Sequence, residues 1–138
     1  MRSATVLCLL AAVLAGCGAA PKDSAKKFKG DARAVAKTIE QLETAGTKDK
    51  PADVCSKLLS AKLLSALEKQ GTNCRTAVKE AFKDADSFDI TVDDVKVSGT
   101  TATSKVKYRS LSNDKTATLL LDKEGAAWKI SSLGSLSS

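Results

Sequence analysis

Histidine is absent from this 138-residue chain, and aromatic residues make up only 4% of it. Without histidine the chain lacks the commonest metal ligand and the usual acid–base catalyst at neutral pH. Few aromatic rings also leave little material for stacking on bases, so we expect no nucleic-acid binding despite the net charge of +6. No apolar run reaches the roughly 20 residues that a membrane-spanning helix requires. These absences predict a protein with no metal site, no nucleic-acid partner and no permanent membrane span.

The first 20 residues have the layout of a secretory signal peptide. Arg2 supplies a positive start, residues 5–14 form an uncharged apolar run, and small residues lead up to a cysteine. The end of this stretch, Leu14-Ala15-Gly16-Cys17, closely resembles the lipobox of bacterial lipoproteins. That resemblance implies cleavage between Gly16 and Cys17, followed by attachment of a diacylglycerol and further acyl chains such as palmitate to Cys17. An ordinary signal peptide with an incidental cysteine is the alternative.

Basic residues follow the predicted anchor closely: Lys22, Lys26, Lys27 and Lys29. Lysines near an anionic leaflet contribute about 1 kcal/mol each to membrane binding. The segment therefore favours contact with anionic lipid, and a solvated tether is an equal alternative. Together with the lipobox, it predicts a protein on the extracytoplasmic face of the cell membrane.

The four cysteines separate by position. Cys8 lies in the apolar run of the signal peptide and Cys17 is the predicted anchor, which leaves Cys55 and Cys74. In an oxidising compartment two remaining cysteines predict a disulfide, worth about 3 kcal/mol for a loop of this length. The alternatives are weaker, because two thiols without histidine make a poor zinc site and no Cys-x-x-Cys motif supports thiol exchange.

The first half of the folded region carries helical periodicity. Apolar residues recur every three or four positions from Phe28 to Leu42, and Gly46 is a natural helix stop. Pro51 suits the first turn of a second helix. A further helix follows Gly71, with Thr72 or Asn73 as its cap.

A tandem repeat lies inside the second helical region. The segment Lys57-Leu58-Leu59-Ser60-Ala61 is followed by an identical copy at 62–66. A period of five residues advances about 140° beyond a full helical turn, so the two leucine pairs cannot share one narrow stripe. Either the helix is buried over a wide arc or it bends near Ser60, and we favour the bend.

After residue 85 the pattern changes to period two. Alternating apolar residues occur in runs separated by the turn signals Gly99-Thr100, Asn113-Asp114 and Lys123-Glu124-Gly125, which predicts an antiparallel meander. Helices first and strands second indicate an α+β fold, with N-terminal helices packed on a C-terminal curved antiparallel sheet. We divide the chain into a signal peptide (1–16), a lipidated cysteine with a flexible basic tether (17–29), the folded domain (30–133) and a serine-rich tail (134–138).

This order of elements, ending in Gly125-Ala126-Ala127-Trp128-Lys129-Ile130, resembles the nuclear transport factor 2-like superfamily, and in particular its small secreted bacterial lipoproteins. The resemblance covers about residues 25–133, and a cystatin-like fold is the nearest alternative. It implies a cone formed by the sheet and helices, which serves as a ligand pocket, a catalytic cavity or a packed core. It also implies that a homodimer through the sheet is an option.

Three inward positions are candidates for lining such a pocket: Ser104, Tyr108 and Trp128. The alternative for Tyr108 is the edge of a core, and for Trp128 a core anchor. Enzymes of the superfamily use Asp, Tyr or His inside the cone, but none of their catalytic motifs matches here, and no carboxylate pair is placed for acid–base work. Since few aromatics argue against a large pocket, we expect a non-catalytic binding domain for a protein or envelope partner, ahead of a small apolar ligand. An isomerase or dehydratase is the alternative.

Overall fold

In the computed structural model all helices precede all strands within the described residues 23–83, 89–110, 113–133 and 136–137. The helical segments are a 3-10 turn (Ser24–Lys27), α1 (Gly30–Thr47), α2 (Pro51–Asp53), a π-helical turn (Val54–Leu58), α3 (Ala61–Lys69) and α4 (Cys74–Lys83). The strands are β1 (Ile90–Ser98), β2 (Thr101–Ser110), β3 (Asn113–Glu124), β4 (Ala127–Ser132) and β5 (Leu136–Ser137). The predicted α+β class, with helices first and a curved antiparallel sheet second, is confirmed.

The sheet is an open antiparallel meander in the order β1-β2-β3-β4. The short strand β5 pairs with β3 at residues 116–117, beyond the part of β3 that β4 covers. A bulge between Val92 and Asp94 leaves Asp93 unpaired in β1, and such a bulge bends a strand and increases its twist. Gly99 and Gly125 have positive φ at the two hairpin turns, as glycine allows.

The predicted turn at Gly99-Thr100 is confirmed, whereas of Lys123-Glu124-Gly125 only Gly125 is in the turn, together with Ala126, because Lys123 and Glu124 end β3. The third prediction is wrong, because Asn113 and Asp114 already belong to β3 and pair with Ser110 and Arg109. A polar dipeptide has a turn composition, but here a cross-strand partner keeps it in the ladder.

The sequence signals for the starts of α2 and α4 are confirmed. Pro51 occupies the first turn of α2, and Asn73 Oδ1 accepts a hydrogen bond from Arg75 N at 2.9 Å ahead of α4. The predicted bend near Ser60 is a complete interruption, since Leu59 is extended and forms a parallel bridge with Ile130. Ser60 N–H donates to the Ile130 carbonyl at 2.9 Å, and its hydroxyl accepts from Leu63 N at 3.1 Å to cap α3. The first leucine pair therefore spans the end of the π-helical turn and the extended residue after it, and the second pair lies in α3.

The core lies between α1 and the inner face of the sheet. Its buried members from the helices include Val35, Ala36, Ile39, Val54 and Leu58, and those from the strands include Val92, Val106, Leu119, Leu121, Trp128 and Ile130. Trp128 is 3% exposed and is therefore a core anchor.

The folded domain begins before the predicted boundary at residue 30. Ala25 is fully buried, and its N–H donates to Glu40 Oε1 at 2.8 Å. Ser24 Oγ donates to the same carboxylate at 3.2 Å and accepts from Val92 N at 3.4 Å. Residues 23–29 thus pack on α1 and β1, because the Glu40 carboxylate accepts hydrogen bonds from Ser24 and Ala25. Residues 17–22 of the predicted tether lie outside the described residues.

Candidate ligand-binding cavity

A cavity of about 340 Å³ separates the helices from the inner face of the sheet, and fourteen of its sixteen lining residues are apolar. The helices up to α3 contribute Leu42, Val54, Leu59, Leu63 and Leu67, and α4 contributes Ala77, Val78, Ala81 and Phe82. The sheet contributes Ile90, Val106, Tyr108, Arg109, Ala117 and Leu119, and Leu133 completes the lining.

The cavity exists because α4 packs mainly on other helical segments: α2, the π-helical turn and α3. No residue of α3 or α4, both fully described, is completely buried. Small side chains occur on both sides of the lining, with Ala77 and Ala81 on α4 and Ala117 on β3. Leu133 at the rim is 53% exposed. The apolar faces of these helices are therefore turned toward the sheet without closing on it.

The predicted disulfide is confirmed, and it holds α4 in this position. Cys55 in the π-helical turn is bonded to Cys74, the first residue of α4, with Cα atoms 6.1 Å apart. Because Val54, next to Cys55, lines the cavity, the cross-link ties the start of α4 to the cavity wall.

Of the three predicted pocket residues, only Tyr108 lines the cavity. Ser104 is fully buried, and its hydroxyl donates to the Asp94 carbonyl at 3.1 Å beside the bulge of β1. Trp128 lies in the core, and its Nε1 is 3.5 Å from Asp31 Oδ1. The alternation placed all three on the inner face, but the cavity covers only the end of the sheet near Tyr108.

The Trp128 side chain belongs instead to a cluster that joins α1 to the β3–β4 hairpin. Lys123 Nζ lies 3.1 Å from Asp31 Oδ2 and 5.6 Å from the centroid of the Trp128 ring, within range of a cation–π contact. The hydrogen bond from Lys123, helped by that from Trp128, holds the pKa of Asp31 below its ordinary value of 3.8. Burial opposes this shift but is the weaker cause.

Two polar residues are among the described residues that line the cavity, Tyr108 and Arg109, and both lie toward one end of β2. Tyr108 is half-buried, and the Arg109 side chain is 55% exposed. Arg109 Nε donates to Asp114 Oδ1 at 3.2 Å, in an ion pair whose acid is also exposed. The Arg109 guanidinium therefore lies beside Asp114, its cross-strand neighbour, in a weak ion pair at the surface.

Among the described residues that line the cavity, none carries a carboxylate. Asp93 is exposed and lies 3.0 Å from Lys107 Nζ. Within the described residues, no group of three or more His, Cys, Asp or Glu side chains could hold a metal ion. The described lining of the cavity is thus almost entirely apolar, with Tyr108 and Arg109 as its polar members.

The predicted lipid-contact lysines have varied surroundings. Lys26 pairs with Asp23 at 2.9 Å, and Lys27 Nζ donates to the Asp93 carbonyl at 2.9 Å and lies 5.0 Å from the centroid of the Phe28 ring. Lys29 is exposed. Lys22, Gly16 and Cys17 lie outside the described residues.

Sequence reasoning missed the contributions of α4 and of Arg109 to the cavity. The sequence predicts an apolar face on α4, but periodicity does not indicate whether that face packs against another element or borders a cavity. Arg109 has the parity of an outward-facing residue, so alternation gives no reason to expect it among the lining residues. The small side chains of Ala77 and Ala81 were the sequence feature that could have indicated an unfilled space beside α4.

No family model, curated protein or solved structure matches this chain. Among the described residues, no helix combines the length and the apolarity needed to cross a bilayer. The functional argument therefore proceeds from the chemistry of the cavity.

Proposed function

We propose that the chain is an extracytoplasmic lipoprotein, anchored through Cys17, whose domain binds a small apolar ligand and carries out no catalysis. One observation supports this above all: a cavity of about 340 Å³ whose walls are aliphatic except for Phe82 and two polar rim residues. Ligand pockets in proteins usually span about 300–1,000 Å³ and are mainly apolar with a few polar groups. The cavity fits the lower end of that range.

The anchoring part of the proposal is supported by Leu14-Ala15-Gly16-Cys17 and its resemblance to a lipobox. The order of helices and strands, and the terminal Trp128 strand, support a nuclear transport factor 2-like domain within this proposal. A cone with an apolar interior is what that resemblance implies for a ligand-binding member.

The cavity changes the order of the sequence-based expectations. From the sequence alone, a protein or envelope partner is expected ahead of a small ligand, because aromatic residues that commonly line ligand pockets are scarce. The walls consist of leucine, valine, isoleucine and alanine instead, and each methylene buried among them stabilises a complex by about 0.8 kcal/mol. Aliphatic walls of this kind suit a ligand whose surface is also aliphatic.

The test is photolabelling of the full chain in phosphatidylcholine vesicles with an uncharged alkyl diazirine. We expect cross-links to map by peptide mass spectrometry to α4 and to the Val106–Arg109 part of β2. Ala77→Phe fills the cavity from α4 and should reduce labelling of these peptides about tenfold.

The matched control is Ala34→Phe, which places the same side chain on an exposed helical position of α1. Labelling should be unchanged in this variant. Equal labelling in both variants, or cross-links confined to other surfaces, would show that the cavity is not the binding site.

A further inference from the structure

We propose that α4 docks on an anionic lipid bilayer through three basic side chains along one side of the helix: Arg75, Lys79 and Lys83, called here the basic stripe. This inference goes beyond the proposed function but rests on it, because it takes the domain to be held at a membrane through Cys17. Three observations carry it: the spacing of the basic stripe, the charge of α3 and α4 compared with α1, and the short connection to the predicted anchor.

The basic stripe borders the apolar face of α4. Its members are four residues apart, so they are neighbours along one side of the helix, and all three are exposed. Val78 and Phe82 belong to the cavity lining, and each precedes a member of the stripe by one residue, about 100° round the helix. A helix with a Lys- and Arg-rich flank beside an apolar face is typical of segments that lie at a membrane interface.

The domain itself does not neutralise the first two charges of the stripe. Within the described part of the chain, neither the Arg75 nor the Lys79 side chain forms an ion pair. Lys83 Nζ lies 2.9 Å from Glu80 Oε1, but both side chains are 61% exposed, and an ion pair this exposed contributes little. An external anionic surface therefore meets at least two uncompensated cations on α4.

The basic charge is concentrated on this side of the helical layer. α3 and α4 together carry five basic and two acidic residues, whereas α1 carries two basic and three acidic ones. The stripe extends over about 12 Å of the helix axis, which suits a surface with many anionic groups better than a single small anion. Charge complementarity thus favours a bilayer of anionic lipid, to which each nearby Lys or Arg strengthens binding about fivefold.

The proposed anchor keeps such a bilayer within reach. Cys17 precedes Asp23, the first described residue, by six residues, and a chain of that length spans at most about 20 Å. Ser24 Oγ then accepts from Val92 N at 3.4 Å, two residues along β1 from Ile90, which lines the cavity together with α4. Under the proposed function, lipid rather than another protein is therefore the partner that the basic stripe meets.

The experiment uses the full chain in phosphatidylcholine vesicles, with and without phosphatidylglycerol, which is anionic. A phospholipid with a diazirine in its headgroup labels protein surfaces that lie on the headgroups, and peptide mass spectrometry locates the cross-links. We expect labelling of α4 to be at least about fivefold higher in the anionic vesicles. It should fall to the level of the neutral vesicles at about 1 M salt, where charges are screened beyond about 3 Å.

The key variant combines Arg75→Gln with Lys79→Gln. It should lower the labelling of α4 in anionic vesicles at least about fivefold, the effect expected from one cation near an anionic surface, without changing the unfolding midpoint. The matched control combines Arg33→Gln with Lys37→Gln, which removes the same charges from exposed positions on α1 and should leave the labelling of α4 unchanged.

A charge-conserving variant separates charge from side-chain shape. Arg75→Lys combined with Lys79→Arg keeps both cations and should be labelled like the wild type. Loss of labelling in this variant, or an equal loss in the control variant of α1, would overturn the assignment of the contact to the charges of the basic stripe.

The outcomes also separate this inference from the proposed function. If α4 is labelled equally in neutral and anionic vesicles, or if Arg75→Gln with Lys79→Gln is labelled like the wild type, docking through the basic stripe is overturned. The uncharged alkyl diazirine in phosphatidylcholine vesicles should still label the cavity of that variant as it labels the wild type. If the wild-type cavity is not labelled while the headgroup probe labels α4 as expected, the ligand-binding function is overturned and the docking surface stands.

Discussion

Asp31 is an exposed carboxylate that joins two parts of the fold. It accepts hydrogen bonds from Lys123 and Trp128, which lie about ninety residues further along the chain. These contacts stabilise its ionised form, so the pKa of Asp31 is lower in the folded protein than the ordinary value of 3.8. Ionised Asp31 therefore contributes stability above the unfolded-state pKa, and that contribution is lost as the pH falls through the folded-state pKa.

We expect Asp31→Asn to lower the urea midpoint of unfolding at about pH 7 and to lower it by less at an acidic pH below 3.8, where the carboxyl is increasingly protonated. The single tryptophan, Trp128, reports unfolding by its fluorescence. Lys123→Gln should reproduce the neutral-pH loss, whereas Lys96→Gln on the exposed part of β1 should not. A difference between wild type and Asp31→Asn that is the same at both pH values would contradict this account.

At the scale of the element, α4 is the segment on which the cavity depends. Its apolar face is formed largely by small side chains, and its main packing partners are other helical segments. The disulfide between Cys55 and Cys74 ties the first residue of α4 to the π-helical turn. The position of α4 over the sheet thus depends on a covalent bond as well as on packing.

We expect the double substitution Cys55→Ser and Cys74→Ser to lower the free energy of unfolding by about 3 kcal/mol, through greater freedom of the unfolded chain. It should also weaken ligand binding, because the start of α4 is no longer tied to the π-helical turn. Both effects are measured on the full chain, by Trp128 fluorescence in denaturant and by photolabelling.

Treating the wild type with a reductant should produce the same two changes, and reductant should have no effect on the double variant. If the double variant unfolds at the same denaturant concentration as the oxidised wild type, the disulfide does not stabilise the fold. If it loses stability but keeps full affinity, the cross-link does not control the cavity.

At the scale of the whole molecule, we propose that the anchor at Cys17 and the cavity act together. The 3-10 turn at Ser24–Lys27 packs on α1 and β1, so the chain leaves the domain beside the strand that carries Ile90. This arrangement relates the proposed membrane location of the protein to its proposed apolar ligand.

We expect Cys17→Ser to move the protein from the membrane fraction to the soluble or unprocessed fraction of the producing cells, because the acyl chains have no other attachment point. Fractionation followed by intact mass measurement tests this directly, since lipidation adds a large hydrophobic mass. Cys8→Ser is the matched control, because that cysteine lies in the predicted signal peptide and is removed on cleavage. Unchanged membrane retention of Cys17→Ser would contradict the anchor.

Much of the fold could be predicted from the sequence because its signals are local. Pro51, Asn73 and Gly99 act through their own backbone or their nearest neighbours, and they mark helix starts and a hairpin turn as expected. The five-residue repeat favoured a bend near Ser60 over a helix buried across a wide arc, because its two leucine pairs cannot share one narrow stripe. The exclusion of Cys8 and Cys17 left the pair that forms the disulfide.

The tertiary structure decided what these elements enclose. The sequence could not place residues 23–29 on the domain, because the partner of Ala25 is Glu40, a side chain from another element. Alternation put Ser104, Tyr108 and Trp128 on one face, but the distance between α4 and the sheet determined that only Tyr108 lines the cavity. Order along the chain follows from short-range chemistry, whereas the space between packed elements depends on contacts between residues far apart in sequence. By itself the sequence therefore determined the class, the turn at Gly99-Thr100 and the cross-link of this protein, and only the tertiary structure decided that its helices leave an apolar cavity over the sheet.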